Sequence, residues 1–492
     1  MNAMNRYARM FPQLARPPAT AEMECGLVEL GKKMKRKQAD DGKNNGVPAF
    51  YTYLGQMMDH DLTFDITALK QAHPFEHEIR NFRTPFLDLE VLYGGGPTAS
   101  PFLYDQTSKR GEETFLIGKT QIGDDEEGSD DDLPRNPRGI ALVGDPRQDE
   151  NLIVAQIHVY FLKWHNYILT NLVDRVSVGP AGATRFEQAR RLLTWTYQKK
   201  LAVDFVAAFV DQDVFKRVQD EFIAFPSFGS RCFRIPIEFN VAAFRFGHSM
   251  VRDSYDYNAT HTGDNRATLF QLFEQTGMGG GACPRLGDEW IIDISRFLGG
   301  QNGQKICPKI ARELFQLQPP TTKIFNVTSG GHAAGKYHCY APDDPESMLP
   351  VMTLLRGARM GLPSGQDVAK ALPIPDAIIT NVTDALENDL SGVLNGVLVQ
   401  KYHFHEDTPL WYYILREAEL LEEGHSLGPV GSWIVAAAVF GALRADPNSY
   451  LSVYPSWDPP ADIIPPGDPG RLLALLTSSV SRFKSTTACS NI

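Results

Sequence analysis

Cysteine is scarce in this chain, with six in 492 residues, at positions 25, 232, 283, 307, 339 and 489. No two form C-x-x-C, which argues against a zinc site or a thioredoxin-type redox pair. Their spacing demands no disulfide framework, and a chain this long can bury a core without one. Positive charge is also short. The 48 Lys and Arg face 59 Asp and Glu, a net charge of −11. That balance argues against nucleic acid as a partner, although a local basic patch stays compatible with it. Long apolar runs are missing too. The longest, Trp433–Leu443, is interrupted by Gly441. It is too short to insert across a membrane and reads as a buried core helix. The opening MNAMNRYARMFPQLARPP has no apolar segment of the secretory kind. The default expectation is therefore a cytoplasmic protein, with signal-independent secretion left open.

What is present is globular in kind, 43 % hydrophobic and 22 % charged. Residues 1–45 are polar and basic around Lys32–Lys37, and they read as an N-terminal arm wrapped over the surface. Residues 46–485 read as one catalytic unit. Helical spacing marks Val47–Phe64, Asn151–Leu172, Arg185–Phe209, Val241–Arg252, Trp411–Glu423 and Ser432–Leu443, with a last short helix at Arg471–Val480. Residues 275–345 are rich in Gly, Pro and Thr and look irregular, and 123–132 form an acidic loop. Strand-like alternation is scarce and no repeat is found. The fold class expected is mainly α, a large single unit with little β.

Two motifs fail their context. Gly277–Ala282 matches G-x-G-x-x-A, but FEQT precedes it and Cys283-Pro284 follows, so a loop is the better reading than a dinucleotide turn. Gly424–Gly428 matches G-x-S-x-G, but a charged helical stretch leads into it and no histidine lies beyond His425. A hydrolase of that type needs a strand before the serine and a histidine after it, so a helix–helix turn is expected.

Four further segments stand out. They are Gly55–Asp61 (GQMMDHD), Gly144–Glu150 (GDPRQDE), Ala243–His248 (AFRFGH) and Leu355–Pro363 (LRGARMGLP). On helices, Gln56 and His60 share a face, as do Arg245 and His248. Singly, each histidine is more often structural and each arginine a surface charge. Together and in this order they resemble the animal-type haem peroxidases. A fifth segment, Thr84–Glu90 followed by Val91-Leu92-Tyr93-Gly94, resembles that family's calcium loop. The resemblance runs from about residue 47 to 365, and RGARMGLPSGQ (356–366) is closest in wording to prokaryotic members.

The resemblance implies a mainly α haem peroxidase fold with haem b, or an ester-linked derivative, and Ca²⁺ as cofactors. His248 would be the proximal iron ligand. His60 would be the distal base, Arg147 the cation that stabilises charge as the O–O bond breaks, and Gln56 a hydrogen-bonding partner of a distal water or halide. The resulting ferryl haem would be reduced by a small electron donor, a phenol, halide or thiocyanate, after reaction with H₂O₂. Asp59 and Glu150 fall where the family esterifies haem methyl groups, while Asn151 replaces the methionine that forms a sulfonium bond in myeloperoxidase. Arg245 and Arg356 match the propionate arginines, and Arg359 is a weaker match. Asp61, Thr84, the Phe86 carbonyl, Asp88 and Glu90 would bind calcium. Thr353 stands where the family has the asparagine that accepts the other N–H of the proximal histidine, a departure that bears on the proximal hydrogen bond.

The branch follows from one position. Fatty-acid oxygenases of this superfamily carry a radical tyrosine three residues before the proximal histidine, and here that residue is Arg245. A peroxidase is therefore the first reading. A haem-dependent oxygenase or dioxygenase of a lipid or natural product is the alternative enzyme, and a haem protein kept for binding or adhesion the non-enzymatic one.

Overall fold

The computed structural model describes residues 6–17, 19–37, 47–65, 79–107, 113–123, 126–220, 233–277, 285–299, 302–316, 347–388 and 392–463. Helices dominate. The principal ones are α1 (Ala21–Lys33), α2 (Ala49–Leu62), α3 (Leu152–Asn171), α4 (Arg185–Thr196), α5 (Leu349–Arg359), α6 (Leu410–Leu421) and α7 (Pro429–Ala445). Strand is confined, among the described residues, to two short antiparallel pairs, Gln121–Ile122 with Glu126–Glu127 and Ser254–Tyr255 with Ala267–Thr268.

Local sequence sets the helix ends. Asn151 accepts from the Ile153 amide and starts α3. Thr184 and Glu187 form a reciprocal capping box at α4. Helix α7 carries no side-chain cap of its own; instead Glu417 of α6, fully buried, accepts from the Val430 amide at 2.9 Å. Apart from half-buried Gly441, the apolar run Trp433–Leu443 is buried inside α7, as expected for a helix that is hydrophobic on all sides. No helix among the described residues is long and apolar enough to cross a membrane.

Three features differ from the sequence reading. The N-terminal arm is not laid over the surface. Tyr7, Ala8, Met10 and Phe11 are buried in the main core. The Ala8 amide donates to the Ile235 carbonyl, the Ala8 carbonyl accepts from Ile237, and the Arg9 guanidinium donates to the carbonyls of Met360 and Gly361 just beyond α5. The apolar residues among the arginines of the arm drive this burial. Helix α1, within the same arm, packs on α5. Next, the helix expected over Arg185–Phe209 is interrupted by a π-helical stretch, Tyr197–Ala202. Finally, Val241–Arg252 is not one α-helix. Ile237–Val241 is α-helical and Ala243–Met250 is 3₁₀. In a 3₁₀ helix residues three apart are eclipsed, so Arg245 and His248 still share a face. The expected helix at 471–480 and most of Gly277–Ala282 lie outside the described residues. Gly424–Gly428 forms the turn between α6 and α7, with Gly424 at φ +75°, and no strand leads into Ser426.

Candidate active site

Helix α2 presents Gln56, Asp59 and His60, and it packs against α3, against the 3₁₀ turn Pro146–Asp149 and against the 3₁₀ helix Ala243–Met250. Those three neighbours bring the motif segments to one place.

The Pro146–Asp149 turn follows from Asp145-Pro146. The Asp145 carboxylate accepts from the Arg147 amide at 2.9 Å, an Asx turn, and proline presets the first turn position. Arg147 is then fixed at several points. Its Nε and Nη2 donate to Asp145 at 3.1 and 2.8 Å, and Nη2 also donates to the carbonyls of His60 and Thr63 at 3.0 and 2.6 Å. Its guanidinium lies 4.5 Å from the centre of the Phe64 ring. These contacts leave Nη1 as the untaken donor. Asp145, wholly buried, also accepts from Arg83. Burial alone would raise its proton affinity, but the two guanidinium groups outweigh it and hold the carboxyl far below the usual carboxylate range.

His60 is 4 % exposed. Its Nδ1 lies 3.1 Å from the side-chain amide nitrogen of Gln148, which is itself fully buried. Burial pushes its proton affinity well down, and the Arg147 cation pushes the same way. The ring is therefore neutral at neutral pH.

Asp59 receives a hydrogen bond from the Thr63 hydroxyl at 3.1 Å. Glu150 stands at the start of α3. Burial raises both carboxyls, Glu150 to about 7, while Arg147 opposes it. Asp59 also feels Arg245, so both arginines are near it. Gln56, Asp59, Arg147, Glu150, Arg245 and His248 all keep part of their surface accessible. Yet burial is the first influence on the proton affinity of each ionisable one. Groups with both properties line an internal space rather than bulk solvent.

On the other side, burial and then Arg245 depress the His248 ring to about 3. Its Nδ1 is buried without a hydrogen-bond partner. The edge of the ring meets Trp411 of α6, with centroids 6.3 Å apart, and the Trp411 indole N–H donates to the Arg245 carbonyl at 3.1 Å. A Cβ added at Gly247 would meet nothing within 4 Å, so there is open space beside His248. Arg245 Nε donates to the Asn240 carbonyl. Arg356 is ion-paired with Asp65. Arg359 is committed elsewhere, to Glu24 of α1 at 2.8 and 3.0 Å. Thr353 is buried, and its hydroxyl donates to the Leu349 carbonyl of its own helix at 3.0 Å. It lines an apolar cavity of about 280 Å³ with Ala242, Leu410 and Trp411.

The loop 84–90 folds beside this cluster. Asp61, adjacent to His60, accepts from the Leu89 amide at 3.0 Å, and Leu89 is held at φ 57° in the left-handed region. The Thr84 hydroxyl donates to Asp88 and the Thr84 amide to Glu90. Phe86 sits half-buried in the same turn. Burial raises Asp61 and Asp88, the latter to about 6, with carboxylate neighbours adding to the effect. No group of three or more His, Cys, Asp or Glu among the described residues stands close enough to be a ready metal site. Gly144 ties the loop to the arginine turn, since a Cβ there would meet the Val91 carbonyl at 2.6 Å.

Sequence reasoning passed over Asp145, Arg83 and Gln148. The Asp-Pro-Arg order signals the Asx turn and so the Asp145 contact. Arg83 and Gln148 carry no local signal, because their partners lie 62 and 88 residues away.

With this geometry in place, the comparisons are specific. The animal haem peroxidase family model matches residues 67–324, just over half the chain; Arg147, Arg245 and His248 fall inside that span, and His60, Thr353 and Arg356 outside it. The peroxidasin homolog pxn-2 of Caenorhabditis elegans is 24 % identical over 373 residues, 72 % of this chain and 25 % of that protein. The dual oxidase of Drosophila melanogaster is 24 % identical over 185 residues, 38 % of this chain and 11 % of its own length. The chain thus spans a quarter or less of these relatives. Among solved structures, peroxidase A of Dictyostelium discoideum aligns with a TM-score of 0.56 at 15 % identity, covering 92 % of this chain and 88 % of that one. The fatty acid alpha-dioxygenase of Oryza sativa also gives 0.56 at 15 % identity, covering 88 % and 74 %. At such identities the structural likeness speaks for the fold alone. The family match and the helical peroxidase-type architecture together place this chain in the animal haem peroxidase family.

Proposed function

We propose that this chain binds haem between His60 and His248 and uses hydrogen peroxide to oxidise small reductants, a phenol, halide or thiocyanate. The observation that carries the reading is the fixed pair of Arg147 and His60: the guanidinium donates to the His60 carbonyl, and the ring is buried and uncharged.

The residues fit the group. His248 has its Nδ1 buried, so Nε2 is the ring nitrogen left for iron, with open space at Gly247 beside it. Arg245 and Arg356 suit the two propionates as forked cations, Arg356 by sharing its charge with Asp65. Asp59 and Glu150 offer accessible carboxyls for ester bonds, and their raised proton affinity marks them as groups that a neutral ester would suit. Bound haem would supply the redox centre at which peroxide is reduced and the donors are oxidised.

The chain's own residues handle protons and charge. His60, uncharged at neutral pH, takes a proton from the incoming peroxide and returns it to the leaving oxygen. Such transfer contributes roughly 10²–10⁴-fold. Arg147 meets the developing negative charge with Nη1, and Asp145 holds that cation in place so that no reorientation is needed at the moment of bond cleavage. Gln56, on the His60 face of α2, orders a water or a halide. Asp61, Thr84, Phe86, Asp88 and Glu90 bind calcium in this reading, and the ion fixes the residue next to His60.

The dioxygenase reading stays as the second one, because an alpha-dioxygenase aligns as well as a peroxidase does. The experiment is direct. Purified protein loaded with hemin should show a Soret band that shifts with peroxide and should oxidise a phenol. Oxygen uptake with a long-chain fatty acid, without turnover of the phenol, would overturn the peroxidase reading in favour of the other.

A further inference from the structure

Gln148 meets His60 at Nδ1, leaving Nε2 as the other ring nitrogen. Its amide nitrogen is 3.1 Å from His60 Nδ1. Gln148 is 0 % exposed and His60 4 %, so water does not compete for this contact. As placed, the carboxamide oxygen of Gln148 is buried with no hydrogen-bond partner. The oxygen and nitrogen ends of a carboxamide are nearly identical in shape, and which end faces a neighbour is decided by hydrogen-bond chemistry.

That chemistry has a direction here. If the amide N–H donates to Nδ1, the proton of the neutral ring must sit on Nε2, and Nε2 then has no lone pair for a proton from substrate. If the carboxamide oxygen faces Nδ1, the ring proton sits on Nδ1 and donates to it, and Nε2 is free as a base. The second arrangement also serves the charged ring. Once Nε2 has taken a proton, Nδ1–H needs an acceptor, and Gln148 is the group at that atom. It gives the carboxamide oxygen a partner and places the amide N–H₂ at the position where the oxygen had none.

We infer that Gln148 is a positioning residue: its carboxamide oxygen accepts from Nδ1–H of His60 and so keeps Nε2 unprotonated toward the internal space. This rests on the reading of His60 as the distal base. No covalent step is added; the proton that His60 accepts is the one it later returns. Asp149, the next residue, is committed to Arg135 at 2.8 and 2.9 Å, and the hydrogen bond found at Nδ1 is the one to Gln148.

The test uses the haem-loaded protein and cyanide as probe, because hydrogen cyanide must give its proton to the distal base before the anion binds iron. Binding is followed by the Soret shift at one pH, and reaction with peroxide by stopped flow. Q148M, which cannot donate and accepts only weakly through sulfur, should slow both by about 10–100-fold, the scale for losing an orienting partner, with haem content and the resting spectrum kept. Q148E, which at that atom can accept from Nδ1–H, should stay within about threefold of the parent, the conservative rescue expected of a positioning role. Q148M at the parent rate, or Q148E as slow as Q148M, overturns the inference. H60A separates the two readings: if it binds cyanide as fast as the parent, the distal-base assignment itself fails; if it is slow while Q148M is normal, only the role of Gln148 fails. Neutron diffraction on the unaltered holoprotein locates the ring proton without a variant. A deuteron on Nδ1 supports the inference and one on Nε2 overturns it.

Discussion

The hydroxyl of Thr353 donates to the carbonyl of Leu349, 3.0 Å away in the same helix, and so is spent on its own backbone. His248 Nδ1 is likewise buried, with no hydrogen-bond partner. An axial histidine whose N–H meets an acceptor carries more negative charge and stabilises ferric iron, and one without an acceptor does so less. With His248 as the proposed axial ligand, the haem of this protein should therefore have a comparatively high ferric/ferrous potential.

Thr353→Asn supplies a carboxamide oxygen at that place. It should lower the potential in a spectroelectrochemical titration and raise the iron–histidine stretching frequency of the ferrous protein. If neither moves, Thr353 does not face the proximal ring and the assignment drawn from the motif falls.

Asp145 is the joint between the arginine turn and the loop after α2. It is fully buried and receives both Arg83 and Arg147. Asp145→Asn leaves two buried guanidinium groups short of their counter-charge, and breaking such a buried pair costs about 3–5 kcal/mol. The melting temperature should drop accordingly, and reaction with peroxide should slow because Arg147 loses its anchor. The pH dependence has a definite sign. The folded carboxyl is held below its unfolded value, so its contribution is fully present above about pH 4, the ordinary carboxylate range, and is lost as pH falls through the folded value. Acid unfolding of the parent should be steep below that range, and the variant should lack this component. Equal acid sensitivity of the two would assign the ion pairs no net stability.

The loop Thr84–Glu90 brings Asp88 and Glu90 near Asp61; both raise the proton affinity of Asp61, and Glu90 also raises that of Asp88. A divalent cation would relieve that repulsion, and all five residues offer hard oxygen. EGTA should therefore lower the melting temperature of the protein, and added Ca²⁺ should restore it in the parent but not in Asp61→Asn. A melting curve indifferent to chelator would leave the loop as a set of acidic caps.

Much of this was legible from local pattern, and the remainder was not for physical reasons. Helices α2, α3 and α7 follow from apolar spacing, because their buried faces are continuous in sequence. The motif residues could be picked out one by one, but that both Arg147 and Arg245 act on Asp59 is a property of three elements packing together. The N-terminal arm misled because its polar composition and basic stretch at Lys32–Lys37 suggested exposure, whereas the Arg9 guanidinium is satisfied by two backbone carbonyls more than 350 residues away. Long-range contacts of this kind leave no period in the sequence. The 3₁₀ geometry of Ala243–Met250 was also hidden, since Arg245 and His248 share a face in either helix type.

In the proposed reading, Asp59 and Glu150 decide whether haem is a permanent part of the protein. Both carboxyls keep accessible surface inside the cluster, and burial raises the proton affinity of each, Glu150 to about 7. A buried carboxylate is costly, and conversion to an ester removes the charge altogether. Ester links should therefore form when haem-loaded protein turns over with peroxide. After such treatment, acidic organic extraction should leave haem with the parent protein. Asp59→Val together with Glu150→Val should release it fully, and each single variant should release it only after the remaining link is hydrolysed in base. Should the parent release its haem as readily as the double variant, the two residues remain free carboxyls. Glu150 would then titrate close to neutral pH beside Arg147, and the rate with peroxide would change across that range in the parent and lose that change in Glu150→Gln.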